Sequence, residues 1–282
     1  MNSLATSGAP HLVEMKDDVL LAEACGLVDG ARQKGVTLRI LGAMAVYAHS
    51  KSKNTEWLMR HLGRFEGRTE LFTDIDFAGY SKQRKEIGRF MEQVGYKPAV
   101  TINALFGNRR LIYYHPQNRY AIDIFLDKLE FSHDVLFGEK PGSGRLELDS
   151  PTIPITDVVL EKLQIHQINR KDLIDLVVVF AGHDVGETFS TDHVDGSYVS
   201  KMFGEDWGFW YDGVTNLDKV TSFASSLTAE GKLTNESEAL VKDRVNKLRS
   251  LIDAYPKSDK WAKRSEKGTS KIWYREVEEV TR

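Results

Sequence analysis

Thr73-Asp74-Ile75-Asp76-Phe77 stands inside an apolar segment, Leu71 to Ala78, that reads as a buried strand. Two-residue alternation sends Asp74 and Asp76 to one face and Ile75 and Phe77 to the other. Two carboxylates side by side on a buried face repel, and burial raises the cost of ionising either one. A divalent cation removes that conflict. Hard oxygen ligands suit Mg²⁺, which binds through one or two carboxylates and keeps water or substrate phosphates as its other ligands. The plainer alternative ends the strand near Thr73 and leaves both acids as solvated loop residues. What surrounds the pair decides between them.

The chain has 282 residues, 41% hydrophobic and 28% charged, a globular balance that excludes a disordered tail. The longest strongly apolar run, Leu173 to Gly182, carries Asp175 and is too short to span a bilayer, so no membrane association is expected. No basic-then-apolar leader is visible over Met1 to Pro10. The lone cysteine, Cys25, fits a reducing compartment, and the expected location is cytoplasmic. A formal net charge of −3 provides no global attraction for nucleic acid.

After a loose lead-in over residues 1–15, Asp17 to Lys34 has apolar residues at helical spacing, and Gly35 ends the helix. Val36 to Leu41 is β-rich and runs into Gly42, then the helix-compatible Ala43 to Ala48. Gly42 would let backbone approach a ligand, and a helix start behind it offers N–H groups to a phosphate. The stretch from Ser50 to Glu70 is polar and basic, with Arg64 and Arg68 in it and a short helix expected near Trp57 to Leu62. Ser81 to Val94 is amphipathic. Arg109 to Tyr114 and Arg119 to Leu126 read as paired strands joined by His115-Pro116-Gln117-Asn118. The second strand holds a third acid, Asp123, with Asp127 as a rival on the same face.

Leu146 to Leu148 reads as a short strand, and Pro151 and Pro154 mark the passage into a helical half. Thr156 is the expected cap of a helix from Asp157 to Gln167, which puts Lys162 and His166 one turn apart. Arg170 to Leu176 begins another helix, and further helices are expected at Tyr198 to Met202, Leu217 to Leu227 and Glu236 to Ala254. The expected class is α+β. A mixed sheet with flanking helices occupies residues 1–150, and a helical region, 151–282, follows.

Strand–Gly–helix, an Asp-Ile-Asp strand, a hairpin strand with a third acid, then a helical lysine and a downstream Lys-Asp pair form an ordered set. It resembles the nucleotidyltransferase fold superfamily, the polymerase-β-like transferases. Glu161-Lys162 followed by Arg170-Lys171-Asp172-Leu173-Ile174-Asp175-Leu176 is similar to the lysine and Arg-Asp-Leu-x-Asp-Leu segment of the AbiEii-like transferases, toxins of type IV toxin–antitoxin systems. The resemblance spans about residues 36 to 180 and implies a catalytic set of Asp74, Asp76, Asp123, Lys162 and Asp172. Asp74, Asp76 and Asp123 would hold the metal, two Mg²⁺ ions or Mn²⁺ in their place. Gly42, Ala43 and Lys162 would meet the nucleotide phosphates. Three departures stand out: Ala43 where the family has a small hydroxyl or glycine, Lys171 where arginine is commoner, and a gap from Gly42 to Asp74 longer than the family usually shows.

The implied reaction moves a nucleoside monophosphate from a nucleoside triphosphate to an acceptor hydroxyl and releases pyrophosphate. Asp123 is the residue expected to take the acceptor's proton. The toxin resemblance implies tRNA or another RNA as acceptor and an antitoxin protein as partner. A small-molecule or protein nucleotidyltransferase, or a non-catalytic nucleotide-binding protein on the same fold, uses the same residues. For RNA, the C-terminal region offers Lys242, Arg244, Lys247 and Arg249 at helical spacing, then Lys257, Lys260, Lys263, Arg264, Lys267, Lys271 and Arg275 with Trp261, Trp273 and Tyr274 between them. The alternative is a solvated helix face with its aromatics packed on the domain. The dipeptides His133-Asp134 and His183-Asp184 lack the further spaced ligands a metal phosphohydrolase needs.

Overall fold

The computed structural model describes residues 16–276 apart from 66, 68 and 69, so the expected lead-in and Arg68 lie outside the described residues. In its first half the chain forms α1 (Asp17–Gln33), β1 (Leu38–Ile40), α2 (Gly42–Lys51), α3 (Trp57–His61), β2 (Ile75–Gly79), α4 (Arg84–Gln93), β3 (Lys97–Pro98), α5 (Val100–Phe106), β4 (Arg110–Tyr114), β5 (Ala121–Leu126), β6 (Lys128–Glu130) and β7 (Asp134–Leu136). In the second half come α6 (Ile155–Leu163), α7 (Arg170–Gly182), β8 (Val185–Gly186), β9 (Val194–Asp195), α8 (Gly196–Glu205), α9 (Trp207–Ala229), α10 (Asn235–Ala254) and α11 (Asp259–Ser265).

One mixed sheet organises the first half, in the order β1-β2-β5-β4-β3. Its central strand β5 runs parallel to β2 and antiparallel to β4. Every residue of β5 is buried, which is why Ala-Ile-Asp-Ile-Phe-Leu reads as a continuous apolar run broken only by Asp123. Helix α1 turns Leu20, Ala24, Leu27, Val28 and Ala31 inward, and Gly35 follows it at φ +72°, a conformation that favours glycine. Strand β2 starts at Ile75, four residues later than the apolar segment suggests, so Asp74 sits in the bend just ahead of it.

Residues 146–148 form a turn and no strand. Leu146 N–H is spent on the Tyr80 hydroxyl, and Leu148 N–H closes on the Arg145 carbonyl, so no ladder can form. Beyond it the chain runs beside β1: Ile40 N–H bonds the Pro151 carbonyl, and Ile153 N–H bonds the Ile40 carbonyl, both at 2.9 Å. The division expected at residue 150 therefore falls on a stretch paired with the sheet. Buried apolar residues form a single cluster from Leu20 to Ile252, and α2 packs on α6 and α7 across that division.

The helical half differs from expectation at several ends. α6 stops at Leu163, and Thr156 does not cap it; its hydroxyl accepts from Asp195 N–H at 2.9 Å. His166 consequently lies outside the helix. α8 and α9 run longer than their apolar spacing suggests because Asp195 and Asp206 cap their starts, bonding Tyr198 N–H and Phe209 N–H. Among the described residues no helix is long and apolar enough to cross a membrane.

Candidate active site

Register brings the acids together. β2 and β5 pair with Asp76 directly beside Asp123, and Asp74 falls two positions earlier on the same side. Ligand oxygens of Asp74, Asp76 and Asp123 lie within 4.8 Å of one another, with Asp74 and Asp76 half-buried and Asp123 fully buried. Three hard oxygen donors at this spacing fit a Mg²⁺ or Mn²⁺ site. Asp127, the rival third acid, is excluded from the cluster. It adopts φ +68° past the strand end, and its carboxylate accepts from Ser81 N–H at 2.7 Å.

A cation is already present beside the acids. Arg110, on β4 opposite Phe125, reaches diagonally to Asp123 and bonds both of its oxygens at 3.1 and 2.8 Å. This bidentate pair lowers the repulsion within the cluster without a metal, so the acids alone do not demand one. It also engages Asp123 as a hydrogen-bond acceptor, which counts against its expected role as proton acceptor.

Gly42 begins α2 at φ +71°, and a Cβ there would sit 3.4 Å from an Asp76 carboxylate oxygen. Backbone and metal-type ligand are thus in close contact, as the strand–Gly–helix order suggests. Its N–H, however, is taken: it donates to Glu161 Oε2 at 3.0 Å, so a side-chain carboxylate fills the place reserved above for a phosphate. Burial pushes the Glu161 pKa up, against the pull of Lys162 and the Gly42 N–H.

Lys162 is buried, and its ammonium faces three carboxylates: Asp172 at 3.0 Å, Asp175 at 3.2 Å and Glu161 at 3.5 Å. An ammonium has three donors, so this set saturates it. Burial opposes the charge, but the acids outweigh burial and push the Lys162 pKa upward. Asp175 is shared with Arg64, which bonds it through Nε at 2.7 Å and a terminal nitrogen at 3.1 Å. Burial works against the Asp175 carboxylate, yet Lys162 and Arg64 hold its pKa below the usual value. Asn169 fixes the start of α7 by accepting from Lys171 N–H and Asp172 N–H, which sets Asp172 toward Lys162.

Part of this set lines one cavity of about 310 Å³, whose wall includes Gly42, Ala43, Asp74, Asp76, Lys162 and Asp172. Phe65, Phe72 and Phe131 supply apolar wall, and Lys171 stands at the rim with its ammonium 4.0 Å from the centre of the Phe65 ring. Lys171 is exposed, so its charge is the better placed of the two lysines to meet a phosphate. Sequence reasoning missed Arg110, Glu161, Asp175 and Phe131 as parts of the site, and did not single out Arg64. Asp175 did carry a signal, since a lone acid within Leu173 to Gly182 has to find a buried partner.

The basic residues of α10 are engaged within the fold, whereas Lys260, Lys263 and Lys267 are exposed and line a cleft of about 660 Å³ with Trp207, Trp273 and Tyr274. On α10, Lys242 pairs with Glu238, Lys247 with Asp184 and Arg249 with Asp218, while Arg244 bonds the carbonyls of Phe180 and Ala181. Arg264 lies over Trp207 and bonds the Gly268 and Lys271 carbonyls. Trp261 packs on Trp210, and Trp273 N–H bonds Asp212. Asp212 also accepts from or pairs with His133 and His166, and His166 stacks on Tyr274. These histidines fasten the C-terminal segment. His183 is buried against the Asp192 carbonyl, so neither His-Asp dipeptide forms a metal set. Comparison with protein-family models, curated proteins and solved structures finds no match for the chain.

Proposed function

We propose that the chain is a divalent-cation-dependent nucleotidyltransferase with a nucleotidyltransferase-like fold, moving a nucleoside monophosphate from a nucleoside triphosphate to an acceptor hydroxyl. The observation that carries the reading is the β2–β5 register, which sets Asp76 beside Asp123 and opens Asp74 and Asp76 into a cavity bounded by Gly42, Lys171 and the Lys162 network. Asp74, Asp76 and Asp123 would hold Mg²⁺ or Mn²⁺ there. When bound, such ions neutralise the triphosphate and polarise the phosphorus–oxygen bonds.

The chain's own residues do the rest. Lys171 swings from Phe65 onto the triphosphate, and the saturated Lys162 holds Asp172, Asp175 and Glu161 in place around it. Arg110 fixes the Asp123 carboxylate in orientation. The acceptor oxygen attacks the α-phosphorus, the bond to the β-phosphate oxygen breaks, and pyrophosphate leaves with both electrons of that bond. With the Asp123 carboxylate committed both to Arg110 and to the metal site, the acceptor's proton passes to water. An RNA acceptor, tRNA included, and an antitoxin partner rest on the toxin resemblance alone.

The test supplies each α-phosphate-labelled nucleoside triphosphate with Mg²⁺ and separate RNA and small-molecule pools. Label should enter one pool with stoichiometric pyrophosphate, and Asp76→Asn should abolish it. No labelled product and no pyrophosphate from any triphosphate would contradict the reading.

A further inference from the structure

A second cleft, of about 290 Å³, shares Phe131 as a lining residue with the cavity described above. We propose that this cleft is the acceptor subsite and that it takes a nucleotide unit, one flat base with its phosphate; the proposal rests on the nucleotidyl-transfer reading. Position supports it first. Phe125, two residues along β5 from Asp123 and on the same face, forms part of the cleft wall. Arg110 lies over the Phe125 ring at 4.9 Å and reaches from the cleft to the Asp123 carboxylate. A molecule in the cleft would therefore be one side chain, Arg110, away from the Asp123 carboxylate.

Chemistry narrows the occupant. Phe106, Phe125 and Phe131 give flat aromatic walls on which a base can stack, and Ile102 adds an aliphatic edge. Arg109, Arg110, Lys128 and Arg275 line the same cleft against two acids, Glu130 and Glu276. The loosest of these cations is Arg109, 70% exposed and 3.5 Å from Glu130, so a phosphate can draw it away at little cost. The helix that bears Ile102 and Phe106, α5, buries none of its residues fully and leaves Phe106 half exposed. Flat apolar walls with cations at the edge match a base and its phosphate better than a purely aliphatic or a purely anionic ligand.

Because Phe106 and Arg109 are exposed, Phe106→Ala/Arg109→Ala should fold as the parent does, which a melting curve verifies. Calorimetry then compares parent and double variant for three probes: adenosine 5′-monophosphate, a short oligoribonucleotide with a free 3′-hydroxyl, and a non-hydrolysable nucleoside triphosphate with Mg²⁺. The expected result is a loss of about tenfold in affinity for the monophosphate, the oligonucleotide or both, with triphosphate affinity unchanged. Loss for the monophosphate alone assigns a free nucleotide as acceptor, and loss for the oligonucleotide alone assigns an RNA end. The proposal is overturned if the parent binds neither acceptor probe, if parent and variant bind them equally, or if triphosphate affinity falls in parallel. Should the parent bind an acceptor probe through the cleft but no triphosphate, the acceptor role fails with the transferase reading while the cleft stands as a nucleotide site.

Discussion

Two groups of acids meet at one cavity: one is buried around a lysine, and the other has two half-buried members. Asp172, Asp175 and Glu161 surround Lys162, with Arg64 on Asp175, so that group is closed by cations of the chain itself. Asp123 bonds Arg110, and Asp74 and Asp76 open to the cavity. A group saturated from within serves the fold. Carboxylates that open to a cavity, as Asp74 and Asp76 do, are placed to meet a charged ligand. In the proposed reading Lys162 and Asp172 brace the site, and Lys171 is the lysine that would meet a triphosphate.

The largest effect should come from opening the closed group. Asp175→Asn leaves Lys162 and Arg64 buried with too little counter-charge, and urea unfolding should show a loss of about 3–5 kcal/mol. A loss below about 1 kcal/mol would mean that the group is not closed as described. The open group should respond with the reverse sign. In chelator, Asp76→Asn removes repulsion and should leave stability unchanged or raised. With Mg²⁺ at about a hundredfold its Kd, the parent should gain about 2.7 kcal/mol and the variant much less.

A smaller effect separates the two lysines. Lys171→Ala should weaken binding of a non-hydrolysable triphosphate about tenfold, ~1.4 kcal/mol, with the melting temperature unmoved. Lys162→Ala should lower the melting temperature instead. If triphosphate affinity ignores Lys171 and falls only with Lys162 in a protein that melts normally, the two roles are reversed.

The smallest is a pH effect at a third acid, remote from both groups. Burial opposes the Asp212 charge, but His133, His166 and Trp273 N–H outweigh it and hold its pKa below the ordinary 3.8. A depressed carboxylate contributes stability that is present above its unfolded value and lost as pH falls through its folded one. The melting temperature should drop below pH 3.8, and Asp212→Asn should flatten that segment of the profile. A profile identical in the variant would remove Asp212 as the fastening of the C-terminal segment.

Local pattern made part of this legible. Alternation in Asp74-Ile75-Asp76 and the buried run around Asp123 foretold acids on a shared face, and Gly42 foretold a close backbone approach. What local pattern lacks is register and distance along the chain. Arg110 meets Asp123 only because β4 and β5 pair as they do, and Arg64 meets Asp175 across 111 positions. The choice between Asp123 and Asp127 turned on a left-handed residue just past a strand end, which apolar spacing does not show. Basic residues on α10 read as a nucleic-acid face because their partners, Asp184 and Asp218 and the α7 carbonyls, lie on other elements.

The central claim is that Asp74, Asp76 and Asp123 form a divalent-cation site, and Mn²⁺ paramagnetic resonance tests it most directly. The free-ion signal should fall as parent protein is added. Asp76→Asn and Asp74→Asn should each restore most of that signal, and Asp172→Asn should leave binding close to the parent's. Equal binding by the parent and both carboxamide variants, or no binding by the parent, would contradict the account.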